Sequence, residues 1–315
     1  MAKRQAQPGT SKAFSRRLSQ APETARFLRR AAPAFFREMA RECARASVPA
    51  ERSPEPLSWS SVGLHTTWLG HSTVLLSLDG FTILTDPVFS TRVGLSIGPL
   101  TVGIKRLVEV AAPFSKLPRI DLVLLSHAHM DHFDLPSLRL LEHRQTEVVT
   151  AYRTTDLLRP RRYARVHELR WNESVVSGAA NITAFEVAHW GARMRSDVFR
   201  GYNGYVIDTG RYRIIFGGDT AYTESFRRLR SHTPFDLAIM PIGAYDPWIR
   251  VHCNPEQALF MAEQADAERI LPVHHKTFKL SRESWSEPIE RLMKAAGSSS
   301  SRVCLGDIGG EFHLS

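Results

Sequence analysis

The chain has few cysteines and no long hydrophobic run. Its 315 residues include three cysteines, Cys43, Cys253 and Cys304, and no C-x-x-C pair. This spacing predicts neither a disulfide framework nor a thiolate zinc site, and it favours a reducing compartment. No apolar stretch approaches the roughly 18 residues of a membrane-spanning helix, and the amino terminus has no continuous apolar region of the kind found in secretory signals. We therefore expect a cytoplasmic protein, with an organellar transit peptide as the alternative that an Arg-rich start leaves open.

Positive charge is concentrated at the amino terminus. Residues 1–50 contain eleven Lys or Arg against three Asp or Glu, so they carry +8 of the overall net charge of +9. The remaining 265 residues are nearly neutral, which is a weak electrostatic footprint for a polyanion, and nucleic-acid binding is not expected. Residues 22–47 mix phenylalanines with arginines and predict an amphipathic helix interrupted at Pro33. Two interpretations stay open: this helix packs on the body, or it lies peripherally on the inner surface of an anionic membrane.

The pattern of predicted elements divides the chain in two. Residues 1–58 form a predicted basic extension, partly helical or disordered, and residues 59–315 form the predicted folded domain. In that domain strand pairs come first and mixed strand and helix units follow, which predicts an α/β (α+β) fold with sheets packed face to face and helices outside. The predicted strands are residues 65–70, 73–79, 81–86, 121–126, 147–151, 181–188, 203–208, 212–217, 236–240, 269–273 and 302–306, and the predicted helices are residues 135–143, 223–230, 255–266 and 284–296.

A dense polar cluster, "SHAHMDH", follows the predicted strand at 121–126. In an extended chain alternate side chains point the same way, so His127 and His129 can converge on one point. Asp131 and His132, past a turn, can face a second point nearby. Four ligands from one loop are many for one tetrahedral metal, which needs three or four protein ligands in all. The loop therefore predicts two metals.

Further candidate ligands follow other predicted strands. His189, Asp219 and the pair His274 and His275 each come directly after an apolar segment. Any one of them alone is more often an ordinary polar side chain than a ligand. Together with the "SHAHMDH" loop, they predict a metal centre at one edge of the sheets.

The ordered set of motifs resembles the metallo-β-lactamase superfamily, in particular the branch that contains N-acyl-phosphatidylethanolamine-hydrolysing phospholipase D and its bacterial relatives. The resemblance runs from about residue 60 to the end of the chain. It is carried by "TWLGHSTVLLSLDGFTILTDPVFS" (67–90), "SHAHMDHFD" (126–134), "AHWGAR" (188–193), "FGGDTAY" (216–222), "PFDLAIMPIGAYDP" (234–247), "HCNPEQA" (252–258) and "VHHKTF" (273–278).

The resemblance implies a four-layer αββα sandwich with two Zn²⁺ ions, or Mn²⁺ or Fe²⁺ in their place. His127, His129 and His189 would hold the first ion, Asp131, His132 and His274 the second, and Asp219 would bridge them. Such a pair lowers the pKa of a shared water, and the resulting hydroxide would attack the phosphorus of a phosphodiester. In this assignment Asp131 counts as a catalytic residue as well as a ligand, and His274 is preferred to His275.

Other residues are assigned by the same resemblance or by local pattern. Asp86 would act as a catalytic residue that orients a ligand histidine, and His71 is a weaker candidate of the same kind. His252 would donate a hydrogen bond to a phosphoryl oxygen or protonate the leaving group. Asp134 is interpreted chiefly as the cap of the following helix. Arg193 and Arg250 are candidates to neutralise a phosphate.

The expected function is a phosphodiesterase of the phospholipase D type that cleaves N-acylphosphatidylethanolamine-like phospholipids. A lactonase or other cyclic ester hydrolase on the same metal centre is one alternative, and a non-catalytic metal-binding scaffold is another. His275 and Lys276 stand where the phospholipase usually has Trp and Gly, close to the expected approach of the substrate. The expected ligand is a phospholipid or another small molecule, and the oligomeric state is left open.

Overall fold

The computed structural model describes residues 41, 46–97, 100–194, 197 and 199–315. The amphipathic helix predicted for residues 22–47 lies outside this part of the chain, apart from residues 41, 46 and 47. No helix among the described residues has the length and hydrophobicity needed to cross a bilayer.

Strands dominate the described part of the chain. They are β1 (Leu64–Gly70), β2 (Thr73–Leu78), β3 (Phe81–Thr85), β4 (Arg92–Ile97), β5 (Leu100–Lys105), β6 (Leu122–Leu125), β7 (Glu147–Ala151), β8 (Arg165–Leu169), β9 (Ser174–Ser177), β10 (Ala180–Phe185), β11 (Gly204–Asp208), β12 (Arg213–Phe216), β13 (Leu237–Pro241), β14 (Ile270–Val273) and β15 (Glu311–Leu314). The α-helices are α1 (Leu135–Leu140), α2 (Pro255–Gln264) and α3 (Glu287–Ala296).

The strands form two large sheets and a separate ribbon. One sheet has the order β15-β1-β2-β3-β6-β7-β8, and the other has the order β14-β13-β12-β11-β10-β9. The neighbours β3, β6, β7 and β8 run parallel, as do β12, β13 and β14. Because parallel strands end at the same edge, several loops that follow strands are brought together there.

Alternating side chains explain how the layers pack. In β12, Ile214 and Phe216 belong to the apolar cluster shared with the seven-stranded sheet, whereas Ile215 belongs to the cluster formed with α2 and α3. This is the two-residue period expected of a strand buried on both faces. Leu138 of α1 packs in the first cluster. The predicted αββα sandwich is confirmed.

Some element predictions are wrong or incomplete. The strand predicted at 302–306 is replaced by the 3-10 helix Gly297–Arg302 and one isolated bridge from Val303 to Ile270, and β15 is the strand that pairs with β1. The helix predicted at 223–230 is only the 3-10 turn Phe226–Leu229. There the backbone N–H of Ser225 donates to the Thr223 hydroxyl, a local bond that competes with helix formation. The short strands β4, β5, β8 and β9 were not predicted.

Part of the predicted extension packs on the folded domain. The Val48 N–H donates to the Leu107 carbonyl at 2.9 Å, and the Arg52 N–H donates to the Ile308 carbonyl at 3.1 Å. Residues 46–58 thus contact the domain, while the boundary between residues 58 and 59 stays a prediction.

Candidate metal centre

Four strands deliver the candidate ligands to one region. Asp86 follows β3, the "SHAHMDH" loop follows β6, Asp219 lies three residues beyond β12, and His274 follows β14. His189 joins them from the segment after β10, where Ala188 pairs with Ala221. The predicted ligands therefore meet because the ends of both sheets lie together.

The first group of ligands contains His127, His129, His189 and Asp219. Their candidate ligand atoms all lie within 4.8 Å of one another. The His129 Nδ1 atom is 2.8 Å from His127 Nε2 and 3.2 Å from His189 Nε2. Burial is the main cause that lowers the pKa of His129 to about 4 and that of His189 to about 3, and it holds the pKa of His127 well below its usual value. These rings are neutral at pH 7, as metal binding requires.

The second group contains His71, Asp131, His132 and His274, again within 4.8 Å of one another. The Asp131 Oδ2 atom is 3.6 Å from His132 Nε2 and 3.7 Å from His274 Nε2. It is also 3.1 Å from His71 Nε2, close enough for a hydrogen bond. His71, the weaker of the two orienting candidates, thus lies directly against a predicted ligand.

Asp219 lies between the two groups. Its Oδ2 atom is 3.2 Å from both His132 Nε2 and His274 Nε2, 3.7 Å from His189 Nε2 and 4.0 Å from His127 Nε2. Burial acts to raise the pKa of Asp219, but the charges of His132 and His274 outweigh it and hold that pKa well below its usual value. This shared position is the one expected of a bridging carboxylate.

The donor set fits metal ions. Four buried atoms of the predicted ligands, His132 Nε2, both ring nitrogens of His274 and Asp219 Oδ1, have no hydrogen-bond partner. Burial alone would lower the pKa of His274, but Asp219 and Asp131 raise it to about 9, and these carboxylates also raise the pKa of His132 against burial. The carboxylates of the centre thus favour nearby positive charge, in the form of protons on His132 and His274. Metal cations would supply the same charge and would also bind the unpartnered atoms.

Asp86 and Ser126 form hydrogen bonds with two of the predicted ligand rings, those of His132 and His127. The Asp86 Oδ2 atom is 2.7 Å from His132 Nδ1, and it accepts a hydrogen bond from the Ser126 hydroxyl at 2.5 Å. That hydroxyl is in turn 2.8 Å from His127 Nδ1. Asp86 therefore contacts one predicted ligand directly and a second through Ser126, a position suited to orienting both rings, and sequence reasoning missed Ser126. Its position, directly before the first histidine, was the available signal.

His189 and His252 complete the surroundings of the centre. The Nδ1–H of His189 donates to the Val251 carbonyl at 2.8 Å, which leaves Nε2 facing the other ligands. His252 is buried, and its Nδ1 atom lies 3.7 Å from Asp219 Oδ2. Burial lowers the pKa of His252 to about 3. The structure thus places His252 beside the ligands, in its neutral form.

Four other candidates have different surroundings. Asp134 caps α1 by accepting from the Ser137 N–H, which confirms that interpretation. Arg193 donates to the carbonyls of Ala128 and Phe133, at 3.2 and 2.7 Å, so its guanidinium braces the loop that carries the ligands. Arg250 is exposed. The ring of His275 stacks on Trp68 at 4.6 Å and is absent from the ligand groups that contain His274.

Comparison with known proteins agrees with this geometry. The profile of the β-lactamase superfamily domain matches residues 82–275. The chain belongs to the metallo-β-lactamase superfamily. It is 34% identical over 271 residues to an uncharacterised protein of Mycobacterium bovis, with 80% of this chain and 71% of that protein covered. It is 30% identical to N-acyl-phosphatidylethanolamine-hydrolysing phospholipase D 1 of Caenorhabditis elegans, with 74% and 70% covered.

Solved structures share the fold of this superfamily member. A metallo hydrolase from Ignicoccus hospitalis superposes with a TM-score of 0.61 at 19% identity, covering 81% of this chain and 99% of that one. The superfamily member described here is a metal-dependent hydrolase whose His and Asp clusters can bind metal.

Proposed function

We propose that this hydrolase is a dinuclear phosphodiesterase of the phospholipase D type, acting on N-acylphosphatidylethanolamine-like phospholipids with two Zn²⁺ ions. The observation that carries the proposal is the position of Asp219 Oδ2, which lies within 4.0 Å of ring nitrogens in both ligand groups. The likeness to the nematode phospholipase D supports the substrate class. When bound, metal ions at this centre would lower the pKa of a water and neutralise charge on a phosphoryl group.

The side chains of this chain provide orientation and hydrogen bonding. His127, His129 and His189 would hold one ion and Asp131, His132 and His274 the other, with Asp219 common to both. Asp86 keeps the ring of His132 in place. His252, neutral and with an unpartnered Nδ1 atom, is suited to donate a hydrogen bond to a phosphoryl oxygen. Its low pKa argues against the alternative role of protonating the leaving group at pH 7.

One side-by-side assay tests the function. Metal-loaded full-length protein is offered N-acylphosphatidylethanolamine, a simple phosphodiester and a lactone, and release of each product is measured. We expect the phospholipid to be cleaved with the highest kcat/KM. Preferential lactone cleavage would replace the proposal by the cyclic ester alternative, and absence of any turnover by a chain that holds two ions would support the scaffold.

We also propose that the basic extension contacts an anionic membrane surface from the cytoplasmic side. The charge of residues 1–50 supports this, since each Lys or Arg near an anionic bilayer adds about 1 kcal/mol. Deleting residues 1–40 should reduce sedimentation with phosphatidylglycerol vesicles while leaving turnover of a soluble phosphodiester intact. Unchanged sedimentation would refute this contact.

A further inference from the structure

Arg153 and Arg170 follow strands that end at the same edge of the seven-stranded sheet as the strand before the "SHAHMDH" loop. Strands β6, β7 and β8 are parallel, and the segments that follow them are the "SHAHMDH" loop, Tyr152 with Arg153, and Arg170. The link to the centre is short, because the Gly201 N–H donates to the Tyr152 carbonyl at 2.7 Å and the neighbouring Tyr202 pairs with His127. The segment that carries Tyr152 and Arg153 is therefore connected, through residues 201 and 202, to the loop that carries the candidate ligands.

The two guanidinium groups both contact the Tyr152 side chain, and that of Arg153 also lies 5.4 Å from the centre of the Phe199 ring. The Arg170 Cζ atom lies 3.5 Å from the centre of the Tyr152 ring, and the Arg153 Cζ atom lies 5.3 Å from it. Arg153 Nε also donates to the Tyr152 hydroxyl at 3.2 Å. Among the described residues, neither guanidinium forms an ion pair with a carboxylate. Two cationic side chains thus contact one aromatic side chain without a carboxylate partner of their own.

The backbone of Arg153 is strained and strongly braced. Its φ of 58° lies in the left-handed region that a long side chain rarely adopts. The Glu168 carboxylate accepts from the N–H groups of Thr154 and Thr155, at 2.9 and 2.7 Å, and Arg200 donates to the Arg153 carbonyl at 2.5 Å. Strain that the surroundings enforce in this way is typical of ligand-binding positions.

We infer that Arg153 and Arg170 form an anion subsite beside the Tyr152 side chain, outside the metal centre, for the oxyanion of a phosphate-type group. The planar guanidinium groups are suited to bidentate contact with such an oxyanion. Contact with the Tyr152 side chain restricts the orientation of both groups. In assigning the anion to a phospholipid, this inference rests on the proposed function. The phosphate group belongs either to the substrate or to a lipid headgroup beside it.

The test uses metal-loaded full-length protein with Arg153→Gln, Arg170→Gln and the double substitution. Arg159→Gln and Arg165→Gln are the matched controls, since these exposed arginines face Glu142 and Glu147 at 3.7 and 3.6 Å. Binding of sn-glycerol 3-phosphate is measured by calorimetry. Sedimentation is measured with phosphatidylcholine vesicles, with and without phosphatidylglycerol. Thermal melts verify folding, and Arg153→Lys retains the charge at the strained position.

We expect a loss of about five-fold in affinity for each arginine removed, and a smaller loss in the controls. A loss for glycerol phosphate assigns the subsite to the substrate, and a loss confined to phosphatidylglycerol vesicles assigns it to a neighbouring headgroup. Wild-type binding of both probes by the double variant, or an equal loss in the controls, would overturn the inference. Because binding is read directly, failure of the phospholipase assay alone would refute the proposed function and leave the subsite standing.

Discussion

The two halves of the metal centre are held in place by different means. The His127 half is fixed from within the sandwich, since Asp86 and Ser126 follow central strands and reach His127 through buried hydrogen bonds. In the other half, Asp131 and His132 also follow β6, but His274 lies on an irregular loop, in which His274 has a φ of 63° and Lys276 a φ of 56°. That loop is held by contacts with distant segments. The predicted ligands after β6 thus obtain their geometry from central strands, whereas His274 obtains its geometry from neighbouring segments.

The contacts around His274 come from both ends of the chain. The Thr277 hydroxyl accepts from the His71 N–H at 2.6 Å. The Lys276 ammonium pairs with Glu51 at 2.8 Å and donates to the Gly306 carbonyl at 2.9 Å. Glu51 lies in the predicted extension, so a segment outside the predicted domain contributes to the positioning of a predicted ligand. We expect the two halves to respond differently to substitutions.

Loss of Asp219, the carboxylate shared by both ligand groups, should have the largest effect on hydrolysis and on metal content. It should affect both halves of the centre alike. Asp219→Ala takes away the atom that contacts both groups, and we expect loss of hydrolysis and a fall in bound metal from about two ions per chain to less than one. Inductively coupled plasma mass spectrometry measures the ions. Asp134→Asn is the control, because asparagine also caps a helix and residue 134 is outside the ligand groups. Two retained ions in Asp219→Ala would contradict the bridging assignment.

Removal of the Asp86 charge should weaken both halves, whereas Ser126→Ala should weaken the His127 half alone. Asp86 contacts His132 directly and His127 through the Ser126 hydroxyl. Loss of such a supporting contact costs about 10- to 100-fold in metal affinity. Chelator competition on Asp86→Asn and Ser126→Ala gives the affinity of each ion. Equal effects of both substitutions on both ions would show that the halves are not separately supported.

Breaking the Glu51 contact should affect the His274 half selectively. Glu51→Gln removes the ion pair with Lys276, whose ammonium is largely buried, and we expect up to about five-fold weaker binding of one ion with the other unchanged. Glu263→Gln is the matched control, because its partner Arg302 lies 3.1 Å away in a surface pair that does not include Lys276. If the control weakens metal binding as much as Glu51→Gln does, the ion pair between Glu51 and Lys276 is not what positions the loop of His274.

Loss of the helix cap at Asn254, a residue outside the candidate ligand groups, should lower stability and leave metal binding intact. Asn254 and Gln257 form reciprocal capping bonds at the start of α2, at 2.9 and 3.1 Å. Asn254→Ala should cost about 1 kcal/mol of unfolding free energy, or roughly 2–4 °C in Tm. Differential scanning calorimetry measures Tm, and metal content serves as the comparison. Loss of an ion from this variant would mean that global stability, and not local support, governs the centre.

Local sequence pattern predicted much of this centre. The alternation of His127 and His129 after an apolar strand and the cap at Asp134 depend on residues at most a few positions apart. Such features follow from strand period and helix termini, which are short-range properties. The short edge strands β8 and β9 escaped prediction, because half-exposed strands have a weak hydrophobic pattern.

The sequence by itself determined which residue types are available as ligands and at which strand ends they occur. Tertiary structure decided that His274 joins the ligands while His275 stacks on Trp68, that Ser126 supports His127, and that Arg193 braces a loop instead of facing solvent. Adjacent residues such as His274 and His275 are equivalent in any pattern of spacing. Their roles diverge only when segments far apart in sequence pack around them, since that packing sets the direction of each side chain.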